Sequence, residues 1–297
     1  MTNLSAPRND LWSSPPQGGA ASGPAEPVPR QPAPVYSTLT VHLRAPGVAQ
    51  VTMARPAVFN AFDETMIAEL DAVFTELALA TRVRVVVLAG DGKHFSAGAD
   101  LQWMQRASTA STDWNLQDAR RFAAMLARIE NCPKPTLARI QGAALGGGVG
   151  LACACDIAIA TENASFAVSE AKFGILPAVI GPYLVNAVGM RQAKRLALAT
   201  TRIHAAEALT MGLVQQVVAA DTLDAAVDAT VKELLAGGPQ AQGEIKQLYA
   251  QLEVGPISAE VRELTAQTIS RVRGTAEARE GFAAFLDKRP ANWMPQT

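Results

Sequence analysis

LGGGVGLACACDIAIA, residues 145–160, sets Gly146, Gly147, Gly148 and Gly150 directly against an apolar run. Each glycine inside a regular element costs roughly 0.5–1 kcal/mol relative to alanine, so the cluster carries a cost of about 2–4 kcal/mol. Such a cluster is expected where a Cβ would keep another group from approaching the backbone. The apolar residues that follow, DIAIA (156–160), read as a short buried strand, and TLARIQG (136–142), upstream, reads as another.

The same grammar extends in both directions. TLTVHLR (38–44) and VAQVTMA (48–54) flank Pro46-Gly47 and predict a hairpin. NAFDETMIAELDAVFTELAL (60–79) puts Phe62, Met66, Leu70, Val73 and Leu77 on one helical stripe. VRVVVLAG (83–90) has the continuous β-branched character of a strand buried on both faces. NLQDARRFAAMLARIENC (115–132) predicts a helix that Pro133 and Pro135 stop. The alternation of strand, loop and helix predicts an α/β fold with parallel crossovers. From about Asp221 the pattern becomes helical.

Three segments are therefore expected: a Pro/Gly/Ala-rich disordered stretch at 1–36, an α/β core at 37–220, and a helical region at 221–297. The first holds eight of the chain's 18 prolines and no hydrophobic core of a secretory signal.

Composition narrows the functional classes. The 297 residues are 49% hydrophobic and 18% charged, with a net charge of −1. No dense run of Lys or Arg suggests nucleic-acid binding, and no membrane span is expected. Three cysteines, Cys132, Cys153 and Cys155, form no disulfide framework and suit a reducing, cytoplasmic setting. Cys153 and Cys155 read as small buried hydrophobes.

Two glycine-bearing loops, FSAGAD (95–100) and GGGVG (146–150), each follow a strand and lead toward a helix. Unpaired N–H groups at such turns can hold a negatively charged oxygen, although taken alone the glycines are more simply read as tight strand-to-helix turns. Neither loop matches a dinucleotide fingerprint or a P-loop. A third signal is FAVSEAKFGILP (166–177), where Glu170 sits among Phe166, Val168, Ala171, Phe173 and Ile175. Desolvation there would raise its pKa and suit proton transfer, whereas a solvated Glu170 would pair with Lys172. Trp103 and Met104 suit either an acyl tunnel or helix packing. His94 reads as a loop residue, Asp156 as a strand-end anchor, and Tyr183 as a polar group to seek near Glu170.

KHFSAGADLQWM (93–104), KPTLARIQGAALGGGVGLACACDIAIATENASFAVSE (134–170), RIHAAEALTMGLVQQVV (202–218) and FAAFLDKRPANW (282–293) together resemble the crotonase (enoyl-CoA hydratase/isomerase) superfamily over residues 37–297. The resemblance implies a spiral of ββα units with a helical C-terminal region, assembled as homotrimers or hexamers. It implies an acyl-CoA thioester substrate and neither a metal nor a redox cofactor, coenzyme A being part of the substrate. By motif position, the N–H groups of Ala97 and Gly147 would receive the thioester oxygen. Ala57, Phe59, Asn60, Ser96, Ala99, Asp100, Leu101 and Gly146 would border the coenzyme A, with Phe285 and Lys288 reaching it from a neighbouring subunit.

Hydratases of this superfamily usually carry two glutamates. Here the later one is Glu170, but the earlier position is Gly150, which is expected to leave space for a water or a bulkier acyl group. Within the superfamily the motifs are most similar to bacterial hydratases of leucine and isoprenoid degradation, which act on 3-methylglutaconyl-CoA and related branched or carboxylated substrates. The lone glutamate also resembles the pattern of Δ3,Δ2-enoyl-CoA isomerases. A non-catalytic acyl-CoA-binding scaffold is a third reading.

Overall fold

Two hydrophobic strands joined by Gly47, whose φ is 81°, open the fold. The computed structural model describes residues 35–294, so most of the segment expected to be disordered lies outside the described residues. β1 (Leu39–Ala45) and β2 (Val48–Met53) pair antiparallel, with Leu39 opposite Met53 and Val41 opposite Val51. β2 then pairs parallel with β3 (Val85–Gly90), every residue of which is buried. β4 (Thr136–Ile140), β6 (Ile157–Thr161) and β9 (Gln216–Val218) continue the parallel sheet in the order β1-β2-β3-β4-β6-β9. A second sheet is built from β5 (Ala143–Leu145), β7 (Ser165–Ala167) and β8 (Ile203–His204). Isolated bridges Ser96–Ala144 and Phe62–Ala99 bring the FSAGAD loop alongside it. This is the predicted α/β spiral.

Helices fill the space inside. α1 (Glu64–Leu79) buries Met66, Ile67, Leu70, Val73, Phe74 and Leu77. Phe62, expected on its stripe, precedes it, because the Asp63 side chain accepts from the N–H groups of Thr65 and Met66 and caps the helix there. α2 (Leu101–Thr109) is capped by Asp100, and α3 (Thr112–Glu130) starts ahead of its expected boundary because Ser111 caps it. α4 (Gly147–Ala154) begins inside the glycine run itself. α5 (Gly181–Ala199) kinks at Gly189, and α6 (Ala205–Thr210) follows β8.

From residue 221 the described chain is helical: α7 (Leu223–Ala236), α8 (Pro239–Tyr249), α9 (Ala259–Arg273) and α10 (Ala276–Leu286). α7 packs on the outer face of the large sheet, where Leu223, Val227, Val231 and Leu235 join Val48, Val85, Val87, Leu137 and Ile159 in a second core. Asp156 anchors the start of β4, accepting from the Thr136 N–H at 2.7 Å and from Lys246 Nζ at 2.6 Å. Among the described residues no helix is long and apolar enough to cross a membrane.

Candidate active site

The glycines of α4 are required by packing. A Cβ on Gly147 would lie 2.1 Å from Phe62 Cζ, far inside contact distance. Gly146 adopts φ 50°, ψ −120° ahead of the helix, a conformation L-residues avoid. The loops expected to cooperate do touch: a Cβ on Gly98 would lie 2.5 Å from the Leu145 carbonyl oxygen and 3.3 Å from Gly147 N.

Hydrogen bonding then decides which N–H groups remain free. Ala97 N–H donates to the Phe59 carbonyl at 2.9 Å, so Ala97 is corrected as an oxyanion donor: its proton is already held by the protein. Ala99 is different. Phe62 N–H donates to Gly98 O at 2.8 Å and Asp100 N–H donates to Phe62 O at 3.0 Å, which straddles Ala99 and turns its own N–H away from that pairing. Neither Ala99 N–H nor Gly147 N–H has a hydrogen-bond partner among the described residues. The two free donors are therefore Ala99 and Gly147, the second at the start of α4, where the helix dipole adds to its attraction for an anion.

Glu170 lies next to this pair. It opens a 3-10 turn, Glu170–Phe173, between β7 and α5. A Cβ on Gly146 would sit 3.1 Å from Glu170 Oε1, so the carboxylate rests against the glycine turn. Its Oε2 is buried without a hydrogen-bond partner. Burial pushes the carboxyl group above its ordinary range, against the opposing pull of the Glu170 and Ser169 N–H groups. Phe166 and Val168 are buried beside it, whereas Phe173 and Ile175 face solvent. Tyr183 is not its partner; the acid raising the Tyr183 pKa, after burial, is Glu130.

Gly150 departs from expectation. A Cβ there would fall 2.4 Å from Ile180 Cγ2 and 2.9 Å from Ile180 Cβ, with Leu126 Cδ1 at 3.7 Å. Gly150 and Ile180 are both buried. The space anticipated for a water or a larger acyl group is filled by isoleucine, so Gly150 is corrected from a substrate contact to a packing position.

Several residues expected to border coenzyme A are structural. Asn60, fully buried at φ 55°, donates from Nδ2 to the Asp91 and His94 carbonyls at 2.8 Å each, and its Oδ1 accepts from Arg55 N–H. Ser96 Oγ donates to the Asn60 carbonyl and accepts from Gly98 N–H. Asp100 caps α2 and pairs with Arg55 at 3.0 Å. Burial alone would raise the Asp100 pKa, but the Trp103 and Gln102 N–H groups and Arg55 hold it below the usual range. His94 accepts the Ala143 N–H on Nδ1 and meets Phe59 edge-on at 5.0 Å. Ala57 and Phe59 remain exposed on the turn after β2, and Leu101 is exposed at the first residue of α2. Phe285, in the last turn of α10, and Lys288, just beyond the helix, are both exposed.

An aromatic wall stands behind Gly147. Phe62 lies 5.2 Å from Phe122 and 5.8 Å from Trp103 between ring centroids. Trp103 Nε1 donates to Asp118 at 3.0 Å, and Arg121 pairs with the same carboxylate. Phe122 was not singled out in the sequence; its position on the inner face of α3 was the available signal. Burial pushes the Cys153 thiol up to about 12 and the Cys155 thiol higher still, consistent with unreactive packing residues. Among the described residues no cluster of three or more His, Cys, Asp or Glu side chains is arranged to hold a metal.

A desolvated carboxylate beside two unpaired N–H groups, on an α/β spiral, is an arrangement that can move a proton next to a developing oxyanion. Residues 44–296 match the family model described as enoyl-CoA hydratase/isomerase, and the chain belongs to that family, within the crotonase superfamily of enzymes. It is 33% identical over 243 residues to a putative enoyl-CoA hydratase of Thermus thermophilus, covering 82% of this chain and 96% of that protein. It is also 33% identical over 244 residues to the 2,3-dehydroadipyl-CoA hydratase of Escherichia coli, covering 82% and 93%. The crystal structure of an enoyl-CoA hydratase from Shewanella pealeana superposes with a TM-score of 0.83 at 40% identity, over 86% of this chain and 96% of that one.

Proposed function

We propose that the protein adds water reversibly across the 2,3 double bond of an enoyl-CoA thioester, with Glu170 as its single general acid/base. The observation that carries this reading is the buried, unpartnered Glu170 Oε2 beside the free N–H groups of Ala99 and Gly147. The carboxylate takes a proton from water as the water oxygen bonds to Cβ. The π electrons move to the thioester oxygen, where the two N–H groups stabilise the charge. Protonated Glu170 then returns a proton to Cα as the carbonyl reforms, so one carboxylate serves both half-steps. One such donor is worth about 2.7–4 kcal/mol in a transition state.

A branched or carboxylated acyl group such as 3-methylglutaconyl is the substrate class we favour. The carboxylated acyl chain named for the Escherichia coli relative supports it. A homotrimer or hexamer in the cytoplasm, in which Phe285 and Lys288 reach a neighbour's coenzyme A, fits the exposed Phe282, Phe285 and Leu286 of α10.

Isomerisation is the second reading, and the filled space at Gly150 favours it: one carboxylate suffices to carry a proton from C2 to C4 of a 3-enoyl-CoA. Initial rates on crotonyl-CoA, 3-methylglutaconyl-CoA and a longer branched analogue, alongside a 3-enoyl-CoA in deuterated water, separate the two. Formation of 3-hydroxyacyl product supports hydration. Double-bond migration with no 3-hydroxyacyl product from any substrate overturns it.

A further inference from the structure

Between the C-terminal ends of β4 and β6 and the segment that enters β8 lies a cavity of about 350 Å³. Its basic lining is Lys93 and His94 on the loop after β3, Arg139 in β4, and Arg202 just before β8. No Asp or Glu lines it, and neither Ala99, Gly147 nor Glu170 reaches it. Arg139 is already neutralised, because its guanidinium grips Asp224 at 2.7 and 3.3 Å and gives its remaining nitrogen to Gln141. Lys93 and Arg202 form no ion pair among the described residues. Arg202 Nη1 donates to Oγ of the buried Ser165 at 3.2 Å, which holds the guanidinium at the cavity wall. The Thr161 hydroxyl donates to Asn163 Oδ1 at 2.6 Å, leaving the Asn163 NH2 as the open end of that side chain. His94 Nδ1 accepts the Ala143 N–H, so the imidazole proton sits on Nε2 as a further donor. Burial, and after it the charges of Lys93 and Arg202, hold the His94 pKa below its ordinary value, so the three groups share one field.

We propose that this cavity binds a phosphate dianion, free or esterified to a small molecule. Two positive charges without a counter-charge, with neutral N–H and O–H donors on the same walls, match a compact anion of charge about −1.5 to −2, which phosphate carries at pH 7. A carboxylate supplies one charge and is held best by a guanidinium fork, and the Arg139 fork is occupied by Asp224. The size of the cavity leaves room for a small ester group. The site stands apart from the reacting centre yet is built on the same segments. Lys93 and His94 run directly into residues 95–100, and Ala143, also on the cavity wall, opens the strand that leads to Gly147.

Calorimetric titrations and thermal melts of the wild type, Lys93→Gln, Arg202→Gln and the double variant test this, with inorganic phosphate and glycerol 1-phosphate as probes at constant ionic strength. At about ten times its Kd, inorganic phosphate should raise the wild-type Tm by about 3–5 °C. Each single variant should weaken binding about tenfold or more, and the double variant should lose the saturable shift. Tighter binding of the ester supports a phosphorylated metabolite as the occupant, and equal or weaker binding supports the free ion. A Tm rise of equal size in wild type and variants is the general stabilising effect of phosphate as a salt and overturns the site. Saturating coenzyme A should leave the phosphate affinity unchanged. A phosphate Kd that rises with coenzyme A concentration assigns these cations to the nucleotide of the substrate and overturns a separate site. A changed molecular mass of Lys93→Gln or Arg202→Gln in light scattering assigns them to a contact between copies of the chain and overturns it as well.

Discussion

Glu170→Gln separates what the carboxylate contributes to chemistry from what it costs the fold. Gln keeps the size and shape of the side chain but can neither take a proton from water nor give one back. General acid/base catalysis contributes about 10²–10⁴ in rate, which corresponds to about 2.7–5.5 kcal/mol of barrier. Position 150 offers no second acid, being glycine with Ile180 filling the space beside it. A fall in kcat within that range is therefore expected, with residual turnover from the Ala99 and Gly147 donors. Stability should move the other way. Burial holds the folded pKa of Glu170 above the ordinary 4.5, so the native state binds a proton more tightly than the unfolded chain does. The stability this group contributes is complete below pH 4.5 and is lost as pH rises through the elevated folded value. Above that elevated value the wild type thus carries a desolvated charge that Gln removes, and there the Tm of Glu170→Gln should equal or exceed that of wild type. The difference should close on acidification below pH 4.5. Stopped assays of hydration and thermal melts across pH 4–8 read both effects. Full hydratase activity in Glu170→Gln, or a variant less stable at pH 7 than at pH 4 relative to wild type, would refute the reasoning.

Other perturbations report on separate parts of the site. Gly147→Ala drives a methyl group into Phe62, and a loss of about 10²-fold or more in kcat together with a lower Tm is expected from kinetics and melting. Replacing the Gly98–Ala99 amide by an ester in a semisynthetic protein removes the free N–H and should cost about 10²–10³ in kcat. The same replacement at Ser96–Ala97 removes only the bond to Phe59 O and should lower Tm with a smaller rate effect. Trp103→Phe removes the 3.0 Å bond to the buried Asp118 and should destabilise by about 1–3 kcal/mol in denaturant titration.

Much of this architecture is written locally. The Val85–Leu88 run announces a strand buried on both faces, and the Pro46-Gly47 turn announces the hairpin, because each depends on a few adjacent residues. Helix starts moved where one cap residue, Asp63 or Ser111, overrode the hydrophobic pattern. The helical character of Gly147, Gly148 and Gly150 was hidden because glycine is a poor helix former and only tertiary crowding by Phe62, Ser96 and Ile180 makes it necessary. Two errors share one cause. Which N–H in FSAGAD is free depends on the Phe59 carbonyl, and what fills the space at Gly150 depends on Ile180. Both partners come from segments distant in the chain, whose contacts spacing alone does not reveal.

The buried Asn60 side chain has a mechanical consequence. One amide group grips Arg55, Asp91 and His94, while the Asn60 carbonyl holds Ser96. The exposed turn carrying Ala57 and Phe59 is thereby welded to the loop that presents Ala99. With the coenzyme A contact that the family resemblance implies for Ala57 and Phe59, a pull on that turn by the nucleotide end of a thioester would be passed to the loop that carries Ala99. Recognition at the far end of the substrate and alignment at its centre would then be coupled, so truncated thioesters should lose kcat as well as affinity.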